Sequence, residues 1–231
     1  MYDIEYAGKT GRSMGVRITQ RPNIPIPEEK IETYSVEGRD GSLTVRTGKY
    51  KDIEIEVLIG FYEKRSLWAE RLRAVKEWLH SQGQGRLKLA DDPGYYYKVK
   101  YVKAKECERQ LGKFGTFAAT FVCQPYVYLD SGDIDIPIGT LVNEYAAAHP
   151  VYHISGEGRC TLTVNKNTMV CNVGQNLTID TDRMVAYRED GTLHNADVTG
   201  DYERLWLIQG ENTITATSGF KVTVQPMWRR L

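Results

Sequence analysis

The sequence predicts a mainly β protein with one substantial helix: an α+β N-terminal domain followed by an all-β sandwich. Three observations carry this. Residues 53–61 alternate strictly, with Ile53, Ile55, Val57, Ile59 and Phe61 on one face and Glu54 and Glu56 on the other. Side chains along a strand point to opposite faces with period two, so this is a half-buried antiparallel strand. Residues 66–81 are the one long stretch with helical spacing. Beyond residue 150, short alternating runs separated by turn formers recur about every ten residues, the pattern of a β-sandwich.

In chain order, weak alternation and three glycines at 8, 11 and 15 suggest short strands at 2–6 and 15–19. Pro22, Pro25 and Pro27 then favour an extended, polyproline-like path and forbid a central strand, which suggests a crossing segment or an arm that reaches a neighbour. Gly38, Asp40, Gly41 and Gly48 are turn formers bracketing a strand at 43–46, with Leu43 and Val45 expected to face inward. A one-residue slip in the strand at 53–61 would bury Glu54 and Glu56, so its register is well specified. Ser66 is placed to cap the helix. Trp68, Leu72, Val75 and Leu79 share one face, Trp78 widens it, and Gly83 is placed to end it.

A short strand at 86–90 leads to the turn Asp91-Asp92-Pro93-Gly94. From 95 to 105, Tyr97, Val99 and Tyr101 are expected on one face and Lys98 and Lys100 on the other, with a phase change at Tyr101-Val102 that predicts a bulge. Phe117, Ala119, Phe121 and Cys123 mark the inner face of the strand at 114–126. Residues 130–150 read as a linker, which sets domains of 1–135 and 136–231. The second domain alternates at Cys160–Val164, turns at 165–167, returns through Met169 and Cys171, and continues as further short strands, among them Leu177–Ile179, 184–188, Thr213–Thr217 and Phe220–Val224.

At 231 residues the chain holds one large domain or two small ones. Its formal net charge is zero, which argues against a dedicated nucleic-acid binder. Residues 1–130 carry 22 Lys and Arg against 18 Asp and Glu, and residues 131–231 carry 8 against 12, a change of sign that supports two units. Fifteen tyrosines suit pleated surfaces and interfaces. Cys107, Cys123, Cys160 and Cys171 include no Cys-x-x-Cys pair, so no zinc site is expected. Cys160 and Cys171 flank a hairpin and are placed to approach one another, although buried free thiols are the plainer reading. No secretory signal is expected at the N-terminus, and no apolar run is long enough to span a membrane.

Few residues suggest chemistry. Asp91/Asp92 and Asp180/Asp182 are carboxylate pairs best read as turns, since nothing nearby would split their pKa values. His149 and His153 are four apart, but Pro150 makes the stretch extended and sends them different ways. Gly83-Gln84-Gly85 follows a helix instead of preceding one, which makes it a poor phosphate cradle. Lys98, Lys100, Lys103 and Lys105 interleave with Tyr97 and Tyr101; this can bind single-stranded nucleic acid, but one wet and one buried strand face explains it better. We therefore expect no catalytic residue, no cofactor-binding residue, no metal ligand and no cofactor.

The ordered set of segments resembles the distal tail proteins of long, flexible-tailed bacteriophages. The resemblance rests on Val36-Glu37-Gly38-Arg39-Asp40-Gly41, the strand at 52–61, the helix with Trp78-Leu79, and Leu89-Ala90-Asp91-Asp92-Pro93 before a Tyr-rich strand. The C-terminal half is similar to that family's second domain, a galectin-like β-sandwich, through Gly210-Glu211-Asn212-Thr213-Ile214 and Met227-Trp228-Arg229. What the resemblance implies is a structural role at the virion tail tip. N-terminal domains of six copies would form a hexameric ring between the tail tube and the baseplate or adhesion device, with the sandwiches pointing outward. Partners would be other copies of the chain and tail-tube, tape-measure and tail-tip or receptor-binding proteins. DNA would only pass through, and no membrane would be involved. The protein would be made in the bacterial cytoplasm, from a phage or prophage gene. A closed ring needs two different patches per copy, for which the segment 22–27 and the edge strands of the first domain are the candidates. The alternative is a carbohydrate-binding module touching the host surface, with Trp206, His194, Asn195 and Arg204 as the sugar-facing group.

Overall fold

A computed structural model describes residues 2–80 and 85–231 of the chain. The protein is mainly β with one α-helix, and it divides into two compact units, the first running to Val127 with Leu231 added and the second Tyr128–Arg230. Unit 1 contains β1 (Ile4–Tyr6), β2 (Lys9–Thr10), β3 (Arg17–Ile18), β4 (Glu29–Ser35), β5 (Ser42–Tyr50), β6 (Ile53–Tyr62), α1 (Trp68–Leu79), β7 (Gly85–Leu89), β8 (Tyr95–Ala104), β9 (Glu108–Gln110) and most of β10 (Phe114–Leu129). Its main sheet runs β2-β1-β7-β8-β10-β6-β3, so the alternating strand β6 pairs antiparallel with β10 over their whole shared length. Ile55 and Val57 are fully buried, and Glu54 and Glu56 are exposed, as the alternation requires.

The helix lays Trp68, Val75, Trp78 and Leu79 into the core, and the Trp78 indole N–H donates to the Tyr6 carbonyl at 3.0 Å. Tyr6 in turn meets the edge of Phe121 at 5.1 Å. Ser66 does not cap this helix. Leu67 stands at the N-cap without a side-chain bond, because the chain enters through a turn in which Leu67 N–H already bonds the Lys64 carbonyl. The expected end at Ser81 and Gly83, and most of Gly83-Gln84-Gly85, lie outside the described residues.

The phase change expected in β8 is present, with a consequence for Tyr101. Tyr97 and Val99 are buried, Tyr101 is exposed, and Val102 is buried again. Lys100 and Lys103, three apart, nevertheless serve one face: Lys100 bonds Asp52, Lys103 bonds Glu54 and Lys105 bonds Glu56. These side chains reach across β10, and Ala118 and Val122 beneath them are buried although they alternate with the inner-face residues. Long charged side chains cover apolar surface in this way. The interleaved lysines and tyrosines are therefore one side of an ion-pair ladder, and their charge is answered within the sheet.

Unit 2 is built on the hairpin of β13 (Val151–Val164) and β14 (Asn167–Asp180), after β11 (Ile136–Pro137) and β12 (Thr140–Asn143). It continues with β15 (Val185–Tyr187), β16 (Val198–Thr199), β17 (Gly210–Ala216), β18 (Lys221–Gln225) and β19 (Arg229–Arg230). Residues 130–150 are thus not a linker: β11 pairs with β18 and β12 with β17. The short strands expected from Cys160 to Ile179 are halves of two long ones. One end of β13 pairs with β18 and the other with β17, which curls the sheet into sandwich-like layers. The switch falls at Gly156, whose φ is +148° and where a Cβ would strike the Phe220 ring at 2.5 Å. Leu162, Val164, Met169, Ile179 and Val224 fill the core.

Asn165 and Lys166 turn the hairpin, both at positive φ (47° and 79°), as a two-residue type I′ turn demands. Asn165 tolerates this and is held by Thr213, whose N–H it accepts at 2.9 Å. Lys166 has no such tie, and an L-residue there costs about 1–2 kcal/mol. Lys166→Gly is expected to stabilise unit 2 by about 0.5–1 kcal/mol after glycine's own entropy cost, read as a raised urea midpoint; an unchanged or lower midpoint would contradict this.

Candidate assembly surfaces

Among the described residues β4 and β5 pair only with each other, forming a two-stranded arm. Its register places Tyr34 opposite Leu43 and Glu32 opposite Val45 on one face, and Thr33 opposite Thr44, Ser35 opposite Ser42 and Ile31 opposite Arg46 on the other. One face is therefore apolar and the other largely hydroxylic. Leu43 and Val45 do share a face, as the sequence suggests, but nothing in the unit covers it: Tyr34 is 50%, Leu43 44% and Val45 41% exposed. Gly38 and Gly41, both at positive φ, shape the tip. At the base Lys51 N–H bonds the Glu28 carbonyl at 2.8 Å, and Tyr50 meets the Tyr126 ring edge-on at 6.1 Å. The proline segment leads into this arm. Pro22 is buried and Ile24 packs against the core, so the segment is tied down at its start, while Ile26 is 90% exposed.

The outer face of the main sheet has two halves. The Lys–Asp/Glu ladder fills one. The other presents Leu58, Tyr62, Phe114 and Thr116, with Thr19 lying over the buried Gly60 and the Tyr62 and Phe114 rings 5.0 Å apart. Tyr62 is 57% and Phe114 42% exposed. Cavities of about 830 and 770 Å³ adjoin here, sharing Thr19 and Thr116. The edge strands β2 and β3 have two residues each, a length that resists edge-to-edge growth.

Of the residues singled out for chemistry, the fold brings His149, Asp182 and Trp206 together and gives His153 other partners. His149 is held by Asp182 (Nδ1 to Oδ1, 3.0 Å), by the Arg229 guanidinium (2.8 Å) and by the Trp206 ring stacked at 4.0 Å. His153 points instead to Thr178, at 3.1 Å. Asp180 accepts from the N–H groups of Asp182 and Arg183, which makes it a turn former. Asp91 accepts from Arg21 and from the Tyr2 hydroxyl, which together hold its carboxyl below the usual range. Among the described residues no cluster of three His, Cys, Asp or Glu is placed to hold a metal.

The four sugar-facing candidates are each engaged by a group within unit 2. Trp206 has one ring face on His149, and His194 bonds Asp197 at 2.6 Å. Asn195 accepts the Ala186 N–H at 2.7 Å, and Arg204 pairs with Asp201. Cys160 and Cys171 are free and face each other across β13 and β14, and burial pushes the Cys171 thiol up to about 12. Their pair lies an even number of steps from the closing pair of the turn, so it is a hydrogen-bonded pair, in which side chains stand further apart.

Neither surface above is marked by a sequence motif. The signal available was the apolar alternation Tyr34, Val36, Leu43, Val45, which names a shared face but not its cover.

No family model matches the chain, and no curated protein matches it. A search of solved structures finds the crystal structure of the SPP1 Dit (gp 19.1) protein, described as a paradigm of the hub adsorption apparatus in Gram-positive infecting phages. The similarity covers all of both chains, with 14% identity and a TM-score of 0.58. At that identity the likeness is one of fold.

Proposed function

We propose that the chain is a structural component of a bacteriophage tail tip whose copies close into a ring, six in number, joining the tail tube to the baseplate or adhesion device. One observation carries this reading: an arm with an uncovered apolar face, on a chain that shares its fold from end to end with a phage hub protein. A strip of half-exposed Tyr, Leu and Val on a two-stranded ribbon needs a partner, because such a ribbon is marginal alone. Covering each side chain is worth about 1 kcal/mol. Unit 1 makes the ring, and unit 2 faces outward toward tip or receptor-binding proteins. DNA passes without being read, and no substrate is transformed.

The test is light scattering and negative-stain imaging of the purified protein, alone and with its tail-tube protein. Closed rings of uniform size are expected. A chain that stays solitary at high concentration and ignores tube and tip proteins would overturn the reading.

A further inference from the structure

We propose that the N-terminal end of α1, with the basic side chains gathered around it, binds the phosphodiester backbone of duplex DNA without reading its sequence. This adds a DNA contact to the role proposed above, and the choice of DNA among phosphate polymers rests on that role. The site uses none of the arm's residues.

Two turns far apart in the chain meet here. Residues 63–67 carry β6 into α1, and residues 111–113 join β9 to β10. Glu63 N–H bonds the Lys113 carbonyl at 3.0 Å, which sets the turns side by side. Arg109 clamps them: its Nη2 donates to the carbonyls of Arg65 (3.3 Å) and Gly112 (2.9 Å). Arg65 in turn lies against Gly112, where a Cβ would meet its Nε at 2.7 Å. Lys64, Arg65, Arg109 and Lys113 are thus gathered at one corner. All four are exposed, and none forms an ion pair among the described residues. The Glu63 carboxylate is committed to Arg71 at 3.0 Å, and Glu108 alternates away from Arg109 along β9. Glu70, in the first turn of α1, is an opposing charge.

Two further observations mark the corner as a site. Among the described residues no side chain caps α1: Leu67 stands at the N-cap, and Ser66 before it is exposed. The first-turn N–H groups therefore lack a side-chain acceptor, and they carry the positive end of the helix dipole. Trp68, the first helical residue, is only 8% exposed, yet its indole N–H has no hydrogen-bond partner among the described residues. Side chains on a helix lean toward its N-terminus, so this ring leans back toward the entry turn, with the Arg109 guanidinium 4.5 Å from its centre. A buried donor left without an acceptor costs about 1–3 kcal/mol. Helix amides, an indole N–H and two guanidinium groups at one place suit an oxyanion, and phosphate above all. Four cations on two turns reach beyond a single anion, which points to a chain of evenly spaced phosphates.

Fluorescence anisotropy of a short labelled DNA duplex, titrated with the full chain, tests this. Binding is expected at about 10⁻⁶ to 10⁻⁴ M whatever the sequence, with log K falling against log salt at a slope of roughly −3 to −4, as for about four neutralised phosphates. Arg65→Gln with Lys113→Gln should bring the slope to about half and weaken binding at least about tenfold. Glu70→Gln should tighten it about threefold. All three positions are exposed, so urea midpoints should match wild type. Unlabelled duplex should change the indole emission of wild type, and Trp68→Phe, which keeps a ring beneath Arg109, should abolish that change.

No duplex binding, or binding unmoved by Arg65→Gln with Lys113→Gln, would overturn the inference. Equal competition by polyglutamate of matched charge would overturn it too, since the corner would then dock an acidic protein. Tighter binding of a glycerol-phosphate polymer would do the same, making the target a wall polymer. Rings that form normally but bind no duplex would remove this site and leave the tail-tip reading standing. A chain that binds duplex as described but never assembles, even beside the tail-tube protein, would remove that reading and leave the site.

Discussion

Phe121→Ala should destabilise unit 1 by about 3–5 kcal/mol, among the largest losses a single truncation can cause in this chain. Phe121 is fully buried in the middle of β10, between β6 and β8 in the sheet order, and its ring takes the edge of Tyr6. Tyr6 also meets Trp78, whose indole N–H is committed to the Tyr6 carbonyl. The vacated space therefore lies where sheet and helix both brace, and neither can collapse into it without breaking that bond. Urea unfolding followed by Trp68 and Trp78 fluorescence reads the change. A loss under about 1.5 kcal/mol would mean that the site relaxes freely and that this aromatic cluster is not the centre of the core.

Asn212→Ala should cost unit 2 about 3 kcal/mol, from two or more stranded groups at about 1–3 kcal/mol each. Asn212 is fully buried. Its carboxamide oxygen accepts the Ile208 N–H at 2.9 Å and an Asn165 side-chain N–H at 2.7 Å. Its NH₂ donates to the carbonyls of Ile208 at 2.8 Å and Gly210 at 3.0 Å. One amide thus closes the loop before β17 and ties it to the β13–β14 turn. Alanine would leave buried backbone groups without partners and with no route to water. Thr215→Ala, on the exposed face of the same strand, is the control and should stay within about 0.5 kcal/mol. Equal effects from the two substitutions would show that strand truncation, and not the amide, sets the loss.

What the sequence displays and what it conceals divide along a physical line. Periodicity is local, so the faces of β6 and β10 and the buried side of α1 can be read directly. Even the phase change in β8 is visible as Tyr101-Val102. Which way Tyr101 turns is decided by lysines reaching across β10 to Asp52, Glu54 and Glu56, a distant pairing. Leu43 and Val45 show the same limit: alternation groups them, but cover comes from elsewhere, and here the unit supplies none. β11 and β12 are too short to alternate and exist only because β17 and β18 wait for them. Gly156, Gly158 and Gly174 look like breaks and are instead places where long strands bend or pass close to a side chain. Asp182 and Trp206, the partners of His149, lie 33 and 57 residues further along the chain, so no spacing rule brings them together.

The two units also differ in the span that closes their central pairing. In unit 2, β13 meets β14 across a two-residue turn, and their ladder can zip outward from Asn165 and Lys166 with little loop to close. In unit 1 the central pairing of β10 with β6 must wait until the helix, β7 and β8 have been made, since Cys123 has to find Ile53. Closing such a span comes before any contact rewards it. The middle of the unit 1 sheet then forms late in a refolding chain although its strands leave the ribosome first. During that interval its interleaved aliphatic strands are exposed, and association between half-finished copies competes with the ordered joining of finished ones.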